Sequence, residues 1–238
     1  MVVGTLLERL ADNPPAAALL LDVDGTLAPI VARPERAAVP SATRAELVRL
    51  ADTYGLVACI SGRTADDAAH VVGVDGIRYV GEHGLELHPD AEEWTTRLAA
   101  FAATVDWPHE PGKRLTLSFH YRQAADEQAA ESYLREVAEQ ALEEGLRPRW
   151  GRKVLEVRPP LKADKGTAVR ALLDSVGLDR ALYAGDDATD LDAFRGLDGL
   201  EVAVRVAIVS DEAPTDLGLA ADLLLGGPDE LLELLRQL

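Results

Sequence analysis
The chain has 238 residues, 41 acidic side chains against 24 basic ones, a formal net charge of −17 at pH 7 and 47% apolar residues. It is long enough to bury a substantial core, and its acidity excludes general binding to nucleic acid or to anionic membranes, which needs clustered Lys and Arg. A single cysteine, Cys59, excludes an intramolecular disulfide and a cysteine-rich zinc site.

The N-terminal stretch MVVGTLLERLADNPP carries Glu8, Arg9 and Asp12 where a signal peptide would have a basic and then an apolar region, so it reads as a short amphipathic helix. No apolar run approaches the roughly 18 residues that span a bilayer, and a cytoplasmic location is the expectation. Short apolar runs then alternate with helical patterns. Strands are predicted over 18–23, 56–60, 77–80, 181–184 and 201–204, with a short last one at 222–225; helices are predicted over 41–52, 65–72, 166–176 and 228–238. This alternation predicts a parallel sheet with helices on both faces. Val169, Leu172, Leu173 and Val176 recur at helical spacing and would lay their helix on the sheet.

The middle of the chain breaks the rhythm. A strand-like run at 113–121 precedes a long helix at 126–144, and RPRW and KVLEVRP then read as two strands joined by a Gly-Arg turn. That pattern predicts an inserted α/β cap with a small antiparallel sheet, giving core segments 1–87 and 161–238 around a cap at 88–160.

Four segments carry chemistry. In LLLDVDGT an apolar strand ends in Asp22 and Asp24, which at i and i+2 point to one side. They stand at a carboxyl edge, where α/β sheets place their ligands. Asp22 could attack as a nucleophile and Asp24 could exchange protons. Carboxylates this close need a shared proton or a cation between them, and their hard oxygens suit Mg²⁺. Asp-Gly-Thr is also good turn chemistry, the alternative reading. Next, Ser61-Gly62-Arg63 lies between a strand and a helix, where backbone N–H groups and a hydroxyl can face an anion or simply cap the helix. Third, Lys165 opens a helix against the unfavourable dipole, a placement that makes sense if it serves an anion; Lys162 lies further from the helix start. Last, Gly185-Asp186-Asp187-Ala-Thr-Asp190 gathers three acids within five positions, which is costly unless a cation binds.

DVDGT, SGR, KG and GDDATD in this order resemble the haloacid-dehalogenase phosphatase superfamily. More narrowly, LDVDGTLAPI, ISGR, GEHG, FHYR, GRKVLEVRP and GDDATDLDAF resemble trehalose-6-phosphate phosphatases. The resemblance implies a Rossmannoid core with an α/β cap inserted between the second and third motifs. It implies Asp22 as the nucleophile that becomes an aspartyl-phosphate, and Asp24 as general acid and base. Mg²⁺ would be held by the Asp22 carboxylate, the Asp24 carbonyl and Asp186, with Asp187 or Asp190 in support. Ser61, Lys165 and the Gly62 N–H would hold the phosphoryl oxygens, with Arg63 and Gly84 beside them.

Sugar recognition is assigned to the cap, where charge is informative. Residues 109–160 carry nine basic and nine acidic side chains, but seven of the acids lie on the 126–144 helix; the rest of that segment holds eight bases against two acids. A basic sheet face is therefore expected, with the acidic helix turned to solvent, and His120, Arg122, Lys153, Glu156 and Arg158 are the candidate contacts to sugar or phosphate; His83 of GEHG, in a Gly-flanked loop, is either a further substrate contact or a structural hydrogen-bonder. Strict alternation puts Lys153 and Glu156 on opposite faces unless the strand twists, bulges or ends there. Trp94, Trp107 and Trp150 are assigned to packing. Hydrolysis of trehalose 6-phosphate is the leading reading, with another sugar or pseudo-sugar phosphate (sucrose, glucosylglycerate or validoxylamine type) or a phosphomutase as alternatives. A trehalose-phosphate synthase is a candidate partner in the same pathway.

Overall fold
A computed structural model describes residues 3–31, 33–210 and 214–238. In chain order the elements are α1 (Val3–Ala11), β1 (Ala18–Leu21), α2 (Ser41–Ala51), β2 (Leu56–Ile60), α3 (Ala65–Val72), β3 (Arg78–Val80), α4 (Ala91–Ala102), β4 (Leu117–His120) and α5 (Glu127–Glu143). They continue with β5 (Arg147–Gly151), β6 (Val154–Arg158), α6 (Lys165–Val176), β7 (Arg180–Gly185), α7 (Asp190–Gly196), β8 (Val202–Ile208), α8 (Thr215–Ala220), β9 (Leu223–Leu225) and α9 (Pro228–Leu235). The chain divides into two compact units, one formed by Met1–Gly84 with Ala163–Leu238 and the other by Leu85–Lys162.

The first unit is built on a six-stranded parallel sheet in the order β3-β2-β1-β7-β8-β9. Side-chain alternation along a strand sends Leu19 and Leu21 of β1 to one face and Ala18 and Leu20 to the other. The first face packs on Leu10, Leu47, Leu50, Val72 and Leu231. The second packs on Val169, Leu172, Leu173, Phe194 and Leu217. Burial on both faces explains why these strands read as continuous apolar runs. Strand order was not legible from the sequence, and it matters: β1 has β2 on one side and β7 on the other, so the chain leaves it in both directions, the kind of switch point at which open sheets bind ligands.

Several strand and helix limits differ from expectation. β1 stops at Leu21 because the chain turns back, with the Leu27 and Ala28 N–H groups donating to the Val23 carbonyl. β8 runs on to Ile208, through Arg205, because that guanidinium is balanced by Asp198 and Asp222. Val176 is exposed at the end of α6, just before the left-handed Gly177 that terminates it. Helices α4, α7 and α8 were not predicted. No helix among the described residues is long and apolar enough to cross a membrane.

The second unit is a three-stranded antiparallel sheet, β4-β6-β5, packed on α5. The expected long strand over 113–121 is reduced to four residues. Leu117, Phe119, Leu155 and Val157 are buried on one face together with Leu134, Val137 and Ala141 of α5. The other face carries Ser118 and His120 of β4, Glu156 and Arg158 of β6, and Arg147 and Arg149 of β5, with Arg149, Glu156 and Ser118 in one cross-strand row. β6 begins only at Val154; Lys153 stands in the turn before it with φ 61°, so strand alternation does not constrain it.

Candidate active site
The turn after β1 sets the first group. Asp22 is buried, its N–H bonded to the Ala184 carbonyl of the neighbouring β7. Gly25 has φ 83°, and a Cβ there would collide with the Asp186 carboxylate, so glycine is required for both conformation and space. Thr26, fully buried, donates to Asp186 Oδ1 at 3.2 Å. Thus the β1 turn and the β7 turn are packed directly against each other.

Among the described residues, Lys165, the first residue of α6, is the cation that touches Asp22 and Asp190. Its Nζ lies 2.7 Å from Asp22 Oδ1 and 2.6 Å from Asp190 Oδ1, and its side chain is 2% exposed. Burial pulls the Lys165 pKa down, but Asp22 and Asp190 outweigh it and hold the ammonium above its ordinary value. Asp22 is held well above the carboxylate range, by burial first, against the pull of Lys165 and with the push of Asp190. Asp186 is raised to about 6, again by burial and then by Asp190.

Oxygens of Asp22, Asp186 and Asp190 lie within 4.8 Å of one another. Fully ionised, three carboxylates against one ammonium would carry an excess of two negative charges, which a divalent cation would balance; the Asp22 and Asp186 carboxyls are raised by burial first, with Asp190 adding to it. An all-oxygen donor set suits Mg²⁺. Asp190 is already saturated: Oδ2 accepts the Asp186 and Asp187 N–H groups at 2.9 and 2.8 Å, and Oδ1 accepts from Lys165 and from Tyr183 Oη at 2.7 Å. Asp22 and Asp186 are therefore the acids that could take a cation directly, while Asp190 holds Lys165 and the Asp186–Asp187 backbone. The Asp187 side chain is exposed.

Asp24, half-buried, is clamped by Arg63, whose Nε and Nη2 donate to its two oxygens at 2.6 and 2.7 Å. Arg63 also donates to Asp67 Oδ2 and the Pro34 carbonyl, so it holds Asp24 and has little capacity left for a substrate. Ser61 is buried at the end of β2, its Oγ accepting the Arg63 N–H at 3.2 Å. Glu82, His83 and Gly84 take left-handed backbone in succession, with φ 46°, 57° and 97°. Two consecutive non-glycine residues there are strained, and the result is that the His83 imidazole lies where a Gly62 Cβ would be. Gly84 packs equally closely on the Asp164 carbonyl and Ala168 of α6.

In the second unit, His120, Glu156 and Arg158 share the sheet face opposite α5. Arg122 is exposed and donates to the Arg152 carbonyl at 3.5 Å. Lys153 Nζ is held by both oxygens of Glu127 at 2.7 and 2.6 Å, so one acid of the α5 helix is turned to the basic turn, while Glu136, Glu139 and Glu143 face solvent. The tryptophans pack: Arg97 lies over Trp94, Trp107 donates to the His120 carbonyl, and Trp150 meets Tyr121 edge-on. Sequence reasoning missed Thr26 and Tyr183. The only signal for Tyr183 was a polar-tipped residue inside the otherwise apolar RALYAG.

A parallel sheet with strand-end carboxylates and a buried lysine at its edge is the fold class of the haloacid-dehalogenase-like hydrolases, as solved structures show. A haloacid dehalogenase-like hydrolase from Bacteroides thetaiotaomicron superposes with TM-score 0.59 at 16% identity, covering 93% of this chain and 98% of that one. The C-terminal domain of a C. albicans trehalose-6-phosphate phosphatase superposes with TM-score 0.68 at 23% identity, covering 100% and 96%. Within that class, the trehalose-phosphatase family matches residues 20–110 and 111–217, and the chain belongs to it. A trehalose-phosphate phosphatase of Mycobacterium marinum is 36% identical over 216 residues, 80% of this chain and 54% of that protein. A rice protein (Oryza sativa subsp. japonica) named a probable trehalose-phosphate phosphatase is 32% identical over 245 residues, 92% of this chain and 65% of its own length. The chain thus spans between half and two thirds of these relatives.

Proposed function
We propose that the protein hydrolyses trehalose 6-phosphate to trehalose and inorganic phosphate, and that it does so through a phosphorylated Asp22. The observation that carries the chemistry is the buried contact of Asp22 with Lys165, which sets a strand-end carboxyl beside an ammonium and supports Asp22 as the nucleophile. Family membership carries the substrate.

Phosphoryl transfer asks chiefly for positioning and charge neutralisation. Asp22 attacks phosphorus as the bond from phosphorus to the sugar oxygen breaks, and Asp24 hands a proton to that departing oxygen. Both Asp24 oxygens accept from Arg63, so Asp24 enters this half protonated on one oxygen, having given up the Arg63 contact there, and that proton goes to the leaving oxygen. In the second half, Asp24 takes a proton from water, which attacks phosphorus and frees Asp22. Lys165, Ser61 and the Gly62 N–H hold the phosphoryl oxygens, with His83 alongside. Bound to Asp22 and Asp186, Mg²⁺ would supply charge neutralisation on the phosphoryl oxygens. His120, Glu156 and Arg158, with Lys153 and Arg122, form the sugar-reading face of the cap. A cytoplasmic protein consuming the product of a trehalose-phosphate synthase completes the reading.

The test is a panel of sugar phosphates assayed with Mg²⁺ and phosphate detection. Trehalose 6-phosphate is expected among the best substrates by kcat/KM, and its absence from them would overturn the substrate. Asp22→Asn is expected to abolish turnover; phosphate release by that variant would remove the nucleophile assignment.

A further inference from the structure
One buried group of the core unit has no part in the hydrolysis above. Tyr183, in the middle of β7, is fully enclosed, and its ring packs edge-on against Phe194 with centroids 6.1 Å apart. A phenylalanine would make the same packing. The hydroxyl is therefore the part of the residue that the core does not require, and a buried hydroxyl is tolerated only where it is hydrogen-bonded. Its bond goes to Asp190 Oδ1 at 2.7 Å. Lys165 Nζ donates to that same oxygen at 2.6 Å and to Asp22 Oδ1 at 2.7 Å. Tyr183, Asp190, Lys165 and Asp22 thus form one continuous buried chain.

Counting acceptors shows what the hydroxyl does. A carboxylate offers about four acceptor positions, and Asp190 fills them with two backbone N–H groups on Oδ2 and with Lys165 and Tyr183 on Oδ1. With every position taken, the carboxylate has one orientation. Lys165 has three N–H donors, two of which go to Asp190 and Asp22, and the third has no partner among the described residues. Fixing two donors fixes the direction of the third.

We propose that Tyr183 is a positioning residue for phosphoryl transfer, which through Asp190 holds Lys165 so that its third N–H is aimed at the phosphoryl group carried by Asp22. The proposal rests on the phosphatase reading. Without the hydroxyl, Asp190 keeps its two backbone donors on Oδ2 but only Lys165 on Oδ1, so Oδ1 is held less firmly and the Lys165 ammonium less closely where charge develops.

The test compares the full-length protein with Tyr183→Phe, Asp190→Asn, the double variant and Phe194→Leu, in Mg²⁺ with trehalose 6-phosphate. Tyr183→Phe is expected to lower kcat about tenfold, the size of one hydrogen bond to a charged group, with KM within about twofold. Affinity for vanadate, read by calorimetry, is expected to fall by a similar factor. In the Asp190→Asn background the same change is expected to cost nothing further, because the hydroxyl acts through Asp190. Phe194→Leu loosens the packing of the ring without touching the hydroxyl, and is expected to lower the melting temperature while retaining kcat. Wild-type kcat and vanadate affinity in Tyr183→Phe, losses that multiply with Asp190→Asn, or an equal loss of kcat in Phe194→Leu would each overturn the proposal. A wild-type protein that hydrolyses no sugar phosphate would instead sink the functional reading, and the vanadate comparison would still decide where Lys165 is held.

Discussion

At Lys165 the cost of burying an ammonium is offset by two carboxylates within 2.7 Å, and the converse holds for Asp22 and Asp190. Substituting methionine keeps most of the volume and adds apolar surface, so a purely hydrophobic account expects little loss of stability. The geometry argues otherwise, because removing one partner of a buried ionic group leaves the others uncompensated. Lys165→Met is therefore expected to destabilise the metal-free protein by about 3–5 kcal/mol, as measured by urea unfolding. An unchanged unfolding free energy would mean that Asp22 and Asp190 take up protons when Lys165 is lost, so that no uncompensated charge is left behind.

The elements that present these side chains are short, and their ends matter more than their middles. α6 begins on a reciprocal cap: Asp164 Oδ1 accepts the Thr167 N–H at 2.8 Å, and Thr167 Oγ1 accepts the Asp164 N–H at 2.9 Å. That cap fixes Lys165 as the first helical residue, against the helix dipole. Asp164→Ala is expected to cost about 1 kcal/mol in urea unfolding; no measurable loss would show that close packing, of Gly84 on Ala168 and of Gly166 on the Asp192 carbonyl, is enough to fix the helix start. Asp22, Ser61, Lys165 and Asp186 were legible in the sequence because each combines a strand or helix end with a chemically costly residue, a local pattern. Tyr183 and Thr26 were not, since their roles depend on β7 lying beside β1, and strand order is not written locally. Arg63 was legible as a site residue, but its partner Asp24 lies 39 positions away, so only the fold reveals that it holds an acid. Lys153 shows the limit of alternation: φ 61° takes it out of the strand whose pleat was used to orient it.

Charge is unevenly divided over the whole molecule. The Leu85–Lys162 unit holds fourteen acidic and eleven basic side chains, a net −3, and the remainder of the chain holds the other −14. On the proposed reading, an acidic protein handles a phosphate ester only if charge is organised locally, here by one buried lysine and a carboxyl cluster that a divalent cation would balance. A divalent cation that binds the folded state alone adds stability by mass action, about 2.7 kcal/mol at a hundredfold excess over its Kd. Mg²⁺ is therefore expected to raise the melting temperature, and EDTA to reverse the rise. Asp186→Asn separates this from a general salt effect. It removes a carboxylate whose ionised form burial and Asp190 already disfavour, so the metal-free variant is expected to melt above the metal-free wild type at pH 7, with the Mg²⁺-dependent shift lost. Equal Mg²⁺ shifts in the two proteins would move the cation away from Asp186 and leave the charge deficit of the core to be met by something else.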